Sequence, residues 1–245
     1  MKLALCLALL GVQAFAGEVI YGAPPAGVIP HVVDGDGWKT IFTLANLDSA
    51  PASFTLRFYA DNGTPMVFPT TAGTSSTITG TLAAGGSTTI ETSGTAVPLT
   101  QGWASFDAPG IIGGTAIFRR IVAGQPNFES SEALDFDTRS HYAMPFDHLN
   151  GAATGFAIVN QTAATSGVVS LVFRDESGAQ LLTDSFTLVG LGHNAFTLTQ
   201  KYPQLIGKRG TFEVSTSGVY INLLAMHFLN GSFTAITPLA SWLWQ

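Results

Sequence analysis

The chain has a single cysteine, Cys6, in 245 residues, and this scarcity limits both its stability and its chemistry. Cys6 lies in an N-terminal segment that we expect to be removed. The mature protein would then have neither disulfide bonds nor a thiol nucleophile. Its fold has to be stabilised by packing and hydrogen bonds alone.

Charged residues are also few, at 11% of the chain. Of the ten Lys and Arg, Lys2 lies in the N-terminal segment, which leaves nine against 16 Asp and Glu and a net charge of −7. The remaining basic residues cluster only as the pairs Arg119-Arg120 and Lys208-Arg209. A nucleic-acid-binding surface needs a stripe of Lys and Arg, so we expect no nucleic-acid partner.

Long hydrophobic runs are missing as well. None reaches the ~20 residues that span a bilayer, so we expect no transmembrane span. The apolar run at residues 3–10 follows Lys2 and precedes Ala14-Phe-Ala16, which is the pattern of a secretory signal peptide. The sequence therefore predicts a signal peptide over residues 1–16, cleavage near Ala16, and a secreted protein that is extracellular or periplasmic.

One pattern occurs twice in the chain. The segment Phe-Thr-Leu-Ala-Asn at 42–46 returns as Phe-Ala-Ile-Val-Asn at 156–160, and residues 56–63 return at 171–178 with an offset of one residue more. A repeat of this length indicates tandem domains of ~100 residues each. We predict domain 1 at residues 17–137 and domain 2 at 138–245, related by internal duplication. One continuous pseudo-symmetric sandwich is the alternative.

Short runs rich in Val, Ile, Thr, Phe and Tyr alternate with Gly, Pro, Asn, Asp and Ser, which is typical of an all-β protein. About seven strands in each copy predict two antiparallel β-sandwich domains of immunoglobulin-like type. Hairpin turns are expected at 60–63 and 175–178, and one helical turn near 199–206, interrupted by Pro203. The predicted strands are 40–46, 53–59, 65–69, 76–82, 87–92, 102–107, 114–122 and 131–136, then 154–160, 167–174, 180–188, 194–199, 210–215 and 219–228.

Turn and strand motifs in both copies match a known module. In the second copy they are Pro145-Phe-Asp147, Arg174-Asp-Glu-Ser-Gly178, Gly192-His193, Tyr202-Pro203, Gly207-Lys-Arg-Gly-Thr211 and Asn230-Gly-Ser-Phe233. In the first copy they are Asp34-Gly-Asp-Gly-Trp38, Ala60-Asp-Asn-Gly63, Gly102-Trp-Ala104 and Phe118-Arg119. In these motifs, from about residue 30 to 238, the chain resembles an uncharacterised secreted β-sandwich repeat module of soil bacteria, particularly acidobacteria. The resemblance implies export and a sandwich fold, and it implies no reaction.

Asp34-Gly-Asp36-Gly37 followed by Trp38 is the best small constellation. Two carboxylates on a Gly-rich loop are able to supply oxygen ligands to Ca²⁺, although the third acidic ligand of a full calcium loop is missing. A tight turn is the simpler interpretation. We therefore predict no cofactor other than calcium as a weak alternative, and Trp38, Asp34 and Asp36 as candidate ligand-binding residues.

Catalytic motifs are not recognisable. Neither a Gly-x-Ser-x-Gly nor a His-Glu-x-x-His motif occurs, so no catalytic residue is predicted. A hydrolase site between the domains stays a third alternative. It would need carboxylates and histidines to converge in a cleft, taken from Asp34, Asp36, Asp135, Asp137, His141, Asp147 and His148.

Aromatic residues complete the prediction. Trp103 is expected in the core, and the C-terminal segment with Trp242 and Trp244 is expected to dock on its own sheet.

We predict an exported, non-enzymatic structural or interaction module at or outside the cell surface, with a protein or a surface polysaccharide as partner. The alternative is a carbohydrate-binding module that uses Trp38 with Asp34 and Asp36.

Overall fold

The computed structural model describes residues 27–137 and 139–239, and antiparallel β-strands dominate these ranges. The all-β expectation is therefore confirmed. The predicted signal peptide, Trp242 and Trp244 lie outside the described residues. Among the described residues, no helix has the length and apolar character needed to cross a membrane.

The strands fall into two halves of the chain. Those of the first half are β1 (Gly27–Asp34), β2 (Trp38–Asn46), β3 (Ala52–Tyr59), β4 (Phe68–Thr70), β5 (Gly73–Ser75), β6 (Thr77–Leu82), β7 (Ser87–Glu91), β8 (Thr100–Asp107), β9 (Ile112–Arg120) and β10 (Phe128–Ala133). Those of the second half are β11 (His141–Asp147), β12 (Ala153–Asn160), β13 (Gly167–Asp175), β14 (Gln180–Leu188), β15 (His193–Thr197), β16 (Arg209–Thr216), β17 (Ile221–Leu229) and β18 (Ser232–Ile236).

Each half contains two four-stranded sheets, and the strand order is the same in both halves. The first half has the orders β1-β8-β3-β6 and β10-β9-β2-β7. Read in the same direction, the second half has β11-β16-β13-β14 and β18-β17-β12-β15. The short β4–β5 hairpin is an addition that the first half alone carries among the described residues.

The strands form where apolar residues alternate. In β3, Phe54, Leu56 and Phe58 are buried, whereas Ser53 is exposed. This two-residue period places alternate side chains on opposite faces of the sheet. The inward residues of the two sheets of a half then share one apolar core.

The sheet that contains β12 and β17 is buried on both faces. Phe156 and Ile158 contribute to the core of the second half, whereas Ala157, between them, contributes to the core of the first half. In β17, Leu224 and Met226 likewise face the first half. A strand buried on both faces is a continuous apolar run, which explains the sequence of β17. The two halves therefore share a continuous apolar contact.

Within residues 27–137 and 139–239, helical structure occurs only where the sequence predicts it. A single turn of α-helix covers Leu198–Lys201 and a 3₁₀ turn covers Pro203–Leu205. Proline lacks the N–H that an α-helix interior needs, and it suits the first position of a helical turn. The break at Pro203 is thus confirmed.

Several strand predictions need correction. Strands β1, β5, β11 and β18 were not predicted. Prolines obscure two of them, Pro30 in β1 and Pro145 in β11, and β1 is buried along most of its length. The register of β1 shifts between Ile29 and Val32, and such a bulge accommodates a proline. The strand predicted at 65–69 is shorter, at Phe68–Thr70, and the one predicted at 131–136 begins earlier, at Phe128.

Candidate functional site

The Asp34–Trp38 segment is a tight β-turn. Asp36 and Gly37 have positive φ angles of 49° and 79°, and the N–H of Trp38 donates to the carbonyl of Gly35 at 2.8 Å. Two central residues with positive φ characterise the two-residue hairpin turn that fits the twist of antiparallel strands. The turn interpretation of this motif therefore describes the geometry.

Asp34 accepts hydrogen bonds from the neighbouring loop at residues 93–96. Its carboxylate is fully buried and accepts hydrogen bonds from the N–H groups of Gly94 and Ala96, the latter at 3.0 Å, and a longer one from Ser93 at 3.4 Å. Asp36, in contrast, is exposed. The two carboxylates that were weighed as calcium ligands thus lie in different surroundings, and no cluster of three or more potential ligands occurs among the described residues.

Trp38 is half-buried between the halves of the chain. Its ring lies 4.9 Å from that of Phe233, centroid to centroid, and the guanidinium of Arg120 lies 5.5 Å from its centroid. A sugar-binding tryptophan presents an open ring face. Of the three candidate ligand-binding residues, Trp38 packs on Phe233, Asp34 is buried and Asp36 is exposed.

Carboxylates do converge at a cavity of about 380 Å³ beside β10, which is lined by Glu132, Asp135, Asp137 and Arg139. Asp135 accepts hydrogen bonds from the N–H of Asp137 at 2.9 Å and from the amide of Asn222 at 2.5 Å. Asp137 is paired with Arg139. Through these contacts Asp135 and Asp137 hold the connection between the halves.

Glu132 in this cavity and His31 on β1 give opposite pH dependences of stability. Burial, with the charge of Asp135, raises the pKa of Glu132 from 4.5 to about 8. Stability then falls as pH rises from about 4.5 to 8, because the unfolded chain ionises first. Burial, with the neighbouring His193, lowers the pKa of His31 from 6.5 to about 3. The contribution of His31 to the free energy of unfolding therefore falls as pH decreases from about 6.5 to 3.

The free energy of unfolding is therefore expected to be nearly flat between about pH 4.5 and 6.5 and to decrease on either side. The variant Glu132→Gln should raise it by about 1–2 kcal/mol at pH 8, since it removes the buried charge and the side chain is only partly shielded from water. The same variant should leave the free energy of unfolding nearly unchanged at pH 4. Urea denaturation at both pH values measures this. Glu129→Gln, on the same strand and in an exposed pair with Arg119, is the control, and an equal gain there would contradict the assignment.

The most ordered polar cluster is a chain of three side chains at the junction of the halves. The ring of His193 hydrogen-bonds through Nδ1 to the carboxylate of Asp61 at 2.7 Å. Its Nε2 lies 3.2 Å from Nδ1 of His31, and the two imidazoles stack with centroids 5.3 Å apart. Gln101 also hydrogen-bonds to Asp61. Burial opposes ionisation of Asp61, but the hydrogen bond and charge of His193 lower its pKa.

Backbone and core contacts fix this junction. The N–H of His193 donates to the carbonyl of Asp61 at 3.1 Å. Trp103 is fully buried, as expected from the sequence. Its indole N–H donates to the carbonyl of Leu191 at 2.7 Å, and its ring stacks on Tyr59 at 4.7 Å. The chain Asp61–His193–His31 is therefore held in place by both halves.

The sequence did not predict this cluster. Asp61 lies in the hairpin turn at 60–63, and it contacts the 190–193 turn of the other half. In the hairpin turn at 175–178, in contrast, the space beside Gly178 is open. The one sequence signal was His31 itself, a polar residue inside the apolar run Val28–Val33.

The remaining histidines and carboxylates of the sequence analysis are placed apart. His141 is the first residue of β11 and His148 follows its last residue, so the extended strand separates them. Asp147 accepts the N–H of Leu149 at 2.9 Å, so its carboxylate caps the turn that follows β11. His148 is buried and its Nδ1 hydrogen-bonds the carbonyl of Leu205 at 3.1 Å.

The outer faces of two sheets carry hydroxyl groups in register. On the first half Ser53 lies opposite Thr81 and Thr55 opposite Thr79, and the Ser53 and Thr81 hydroxyls are 3.1 Å apart. On the second half Ser170 lies between Ser185 and Ser215. We call these two surfaces the hydroxyl faces, and they comprise Ser53, Thr55, Thr77, Thr79 and Thr81, and Ser170, Thr183, Ser185, Thr187 and Ser215.

Each hydroxyl face carries a matched ion pair, and on the second half a further pair, Arg209 with Glu176, lies at the end of the same sheet. Arg57 lies 3.6 Å from the carboxylate of Asp107, and Arg174 lies 3.2 Å from that of Glu213. Both pairs join the central strand of the sheet to the neighbouring strand. Each face is therefore neutral in sum and rich in hydrogen-bonding groups.

No protein-family model, curated protein or solved structure matches the chain. The resemblance to the secreted module of soil bacteria stays a prediction from sequence motifs.

Proposed function

We propose that the chain is an exported, non-enzymatic structural and interaction module that acts at or outside the cell surface and binds its partner through the hydroxyl faces. The observation that carries this proposal is the presence of a neutral, hydroxyl-rich face on the corresponding sheet of each half. Serine and threonine hydroxyls both donate and accept hydrogen bonds. Such faces suit a partner with a regular array of polar groups, either a surface polysaccharide or an extended protein segment.

The edges of these sheets add main-chain groups to the faces. The threonines of β6 and the serine and threonines of β14 lie on the last strand of their sheets, and an edge strand presents unpaired N–H and C=O groups. A partner that lies along the edge can therefore bond both side chains and backbone. Export is proposed from the signal-peptide pattern of residues 1–16 alone.

We further infer that the halves are tandem immunoglobulin-like β-sandwich domains, at residues 17–137 and 138–245, that arose by duplication. The matching strand orders support this inference, and so do two equivalent asparagines. The side-chain amide of Asn46 donates to the carbonyls of residues 50, 82 and 83. That of Asn160 donates to those of residues 165, 188 and 189. Both asparagines end the repeated pentapeptide of the sequence.

The protein should be recovered outside the cytoplasm with a mass that corresponds to a chain starting at Gly17.

The proposed function also predicts that charge placed on a hydroxyl face of the protein weakens binding. Its co-sedimentation with insoluble cellulose and chitin should decrease at least fivefold in Thr79→Lys and in Ser185→Lys, since each lysine replaces a hydroxyl with a hydrated charge.

Ser49→Lys, in an exposed loop after β2, is the matched control and should bind like the wild type. Equal retention of all three variants would contradict the role of the hydroxyl faces. Release of soluble sugar during the assay would contradict the non-enzymatic assignment, and retention by neither polysaccharide would point to the protein partner.

A further inference from the structure

A cavity of about 340 Å³ lies between the edge strands β6 and β7, at the open side of the first sandwich. Its floor is formed by four buried apolar side chains, those of Phe54, Ile78, Leu82 and Ile90. The turn of the short β4–β5 hairpin closes one end through Thr71 and Ala72. Among the described residues, the lining includes neither a charged side chain nor a histidine. A charged group in this cavity therefore has no ionic partner.

Main-chain groups of β7 point into this opening. Successive residues of a strand direct their N–H and C=O groups to opposite sides. The N–H of Thr92 donates to the carbonyl of Thr40 on β2 at 2.9 Å, so Glu91 and Thr89 point away from β2. Glu91 bonds the hairpin, since it accepts the N–H of Thr71 at 2.9 Å and donates to its hydroxyl at 3.0 Å. Thr89 has no strand beside it in the described ranges, and both of its main-chain groups face the opening.

The second half closes the corresponding opening with a side chain of its own. By strand register, Ile78 is equivalent to Asp184, and Ile90 is equivalent to Phe196. Lys201 reaches between the two edge strands there. Its Nζ lies 4.2 Å from the ring centroid of Phe196 and 3.5 Å from the carboxylate of Asp184. The place that is a cavity in the first half thus holds a long side chain in the second.

The difference between the halves indicates what fits the first one. Ile78 stands where the second half has the carboxylate that holds Lys201, so a cation in the cavity would lose its hydration without a partner. An aliphatic side chain would instead remove apolar surface of the floor from water. A strand added beside β7 presents such side chains at every second residue. The pairing of Thr71 with Glu91 already begins a line of this kind.

We propose that this opening, which we call the edge groove, binds an extended peptide segment of a partner protein. The segment pairs with the main chain of Thr89 and inserts an aliphatic side chain over Phe54, Ile78, Leu82 and Ile90. In this mode of recognition main-chain hydrogen bonds provide affinity and the pocket provides specificity. The inference goes beyond the proposed function: the edge groove lies between the sheets, so peptide binding there does not depend on polysaccharide binding to a hydroxyl face.

The test uses three synthetic peptides and the mature chain, with binding measured by isothermal titration calorimetry. The first peptide, acetyl-KTVTLTVTK-amide, has leucine at its centre and lysine only at its ends, for solubility. The second has lysine at the centre, and the third has N-methyl groups on the two threonines beside the leucine. The wild type should bind the first peptide saturably and about tenfold more tightly than the second, because a central ammonium group finds no carboxylate. The third should also bind about tenfold more weakly, since it lacks the N–H groups that pair with an edge strand.

Three variants of the chain complete the design. Thr89→Pro removes the main-chain donor, which an edge strand tolerates where the N–H faces outward, and should weaken the first peptide about tenfold. Thr187→Pro is the matched control on β14, the edge strand of the second half, and should bind like the wild type. Thr88→Phe fills the cavity from β7 and should abolish the preference for leucine over lysine. It also tests the edge groove if Thr89→Pro does not fold.

Equal affinity for the leucine and lysine peptides, or no saturable binding of the first peptide, would overturn the proposal. Binding that N-methylation or Thr89→Pro leaves unchanged would do the same, as would a leucine preference that persists in Thr88→Phe. A dimer of the mature chain that Thr89→Pro dissociates in analytical ultracentrifugation would assign the edge groove to a second copy of the chain, and it would overturn the proposed partner.

Discussion

Asn160→Ala is expected to lower the free energy of unfolding by about 3–4 kcal/mol, a large part of the stability of a domain of this size. Asn160 is fully buried. Its amide donates to three backbone carbonyls, and its side-chain oxygen accepts the N–H of Thr162 at 2.9 Å. Alanine leaves these buried groups without a partner, and each such group costs about 1–3 kcal/mol. Urea denaturation of the mature chain measures the loss.

The equivalent variant Asn46→Ala is expected to lose a similar amount, because Asn46 makes the same pattern of bonds. Asn62→Ala is the control: Asn62 is exposed and accepts hydrogen bonds from Thr64, so the loss should stay below about 1 kcal/mol. Since the halves share a continuous apolar contact, both buried variants should shift one cooperative transition. A loss below about 1 kcal/mol at Asn160 would contradict its structural role.

The sequence predicted the local features best. Gly63 and Gly178 have positive φ angles of 79° and 83°, and each donates its N–H to a carbonyl three residues earlier, at 2.9 and 3.0 Å. Turns of this kind depend on a few adjacent residues and on the freedom of glycine at positive φ. The repeated asparagines were visible as part of a pattern, although their hydrogen bonds were not.

Strand β1, which packs against both halves, was harder to predict. The two-residue alternation of β3 shows because one face is covered and the other meets water. In β1 that contrast is lost, since Val28, Ile29, Val32 and Val33 are all buried. A run of this kind does not distinguish a buried strand from other buried structure. The information that defines β1 therefore comes from its packing against both halves.

The functional candidates show the same limit. Asp34, Asp36 and Trp38 are neighbours in sequence, and their proximity suggested a shared site. Proximity along a turn does not determine which side chains reach solvent, and here the 93–96 loop covers Asp34. In contrast, His31 and His193 lie 162 residues apart and hydrogen-bond directly. Such a contact depends on how the two halves meet, which the pattern of one sequence does not reveal.

Trp103→Ala is expected to have the second large effect, a loss of about 3–5 kcal/mol, because it removes the largest fully buried side chain from the junction. The indole stacks on Tyr59 and donates its N–H to Leu191, so it connects the halves by packing and by a hydrogen bond. Its removal should weaken their coupling, and the second half should then unfold in a separate transition. Thermal and urea denaturation followed by circular dichroism measure both effects.

Trp103→Phe separates the two contributions, since it keeps an aromatic ring and removes the N–H. It should cost about 1–3 kcal/mol, the penalty for a smaller ring and an unpaired carbonyl, and the single transition should persist. Trp38→Ala provides the control for the loss of a tryptophan, because Trp38 is only half-buried against Phe233. If Trp103→Ala costs no more than Trp38→Ala, the junction does not depend on this side chain. The cooperativity of the halves must then come from the apolar face of β12 and β17, which packs on the first half without it.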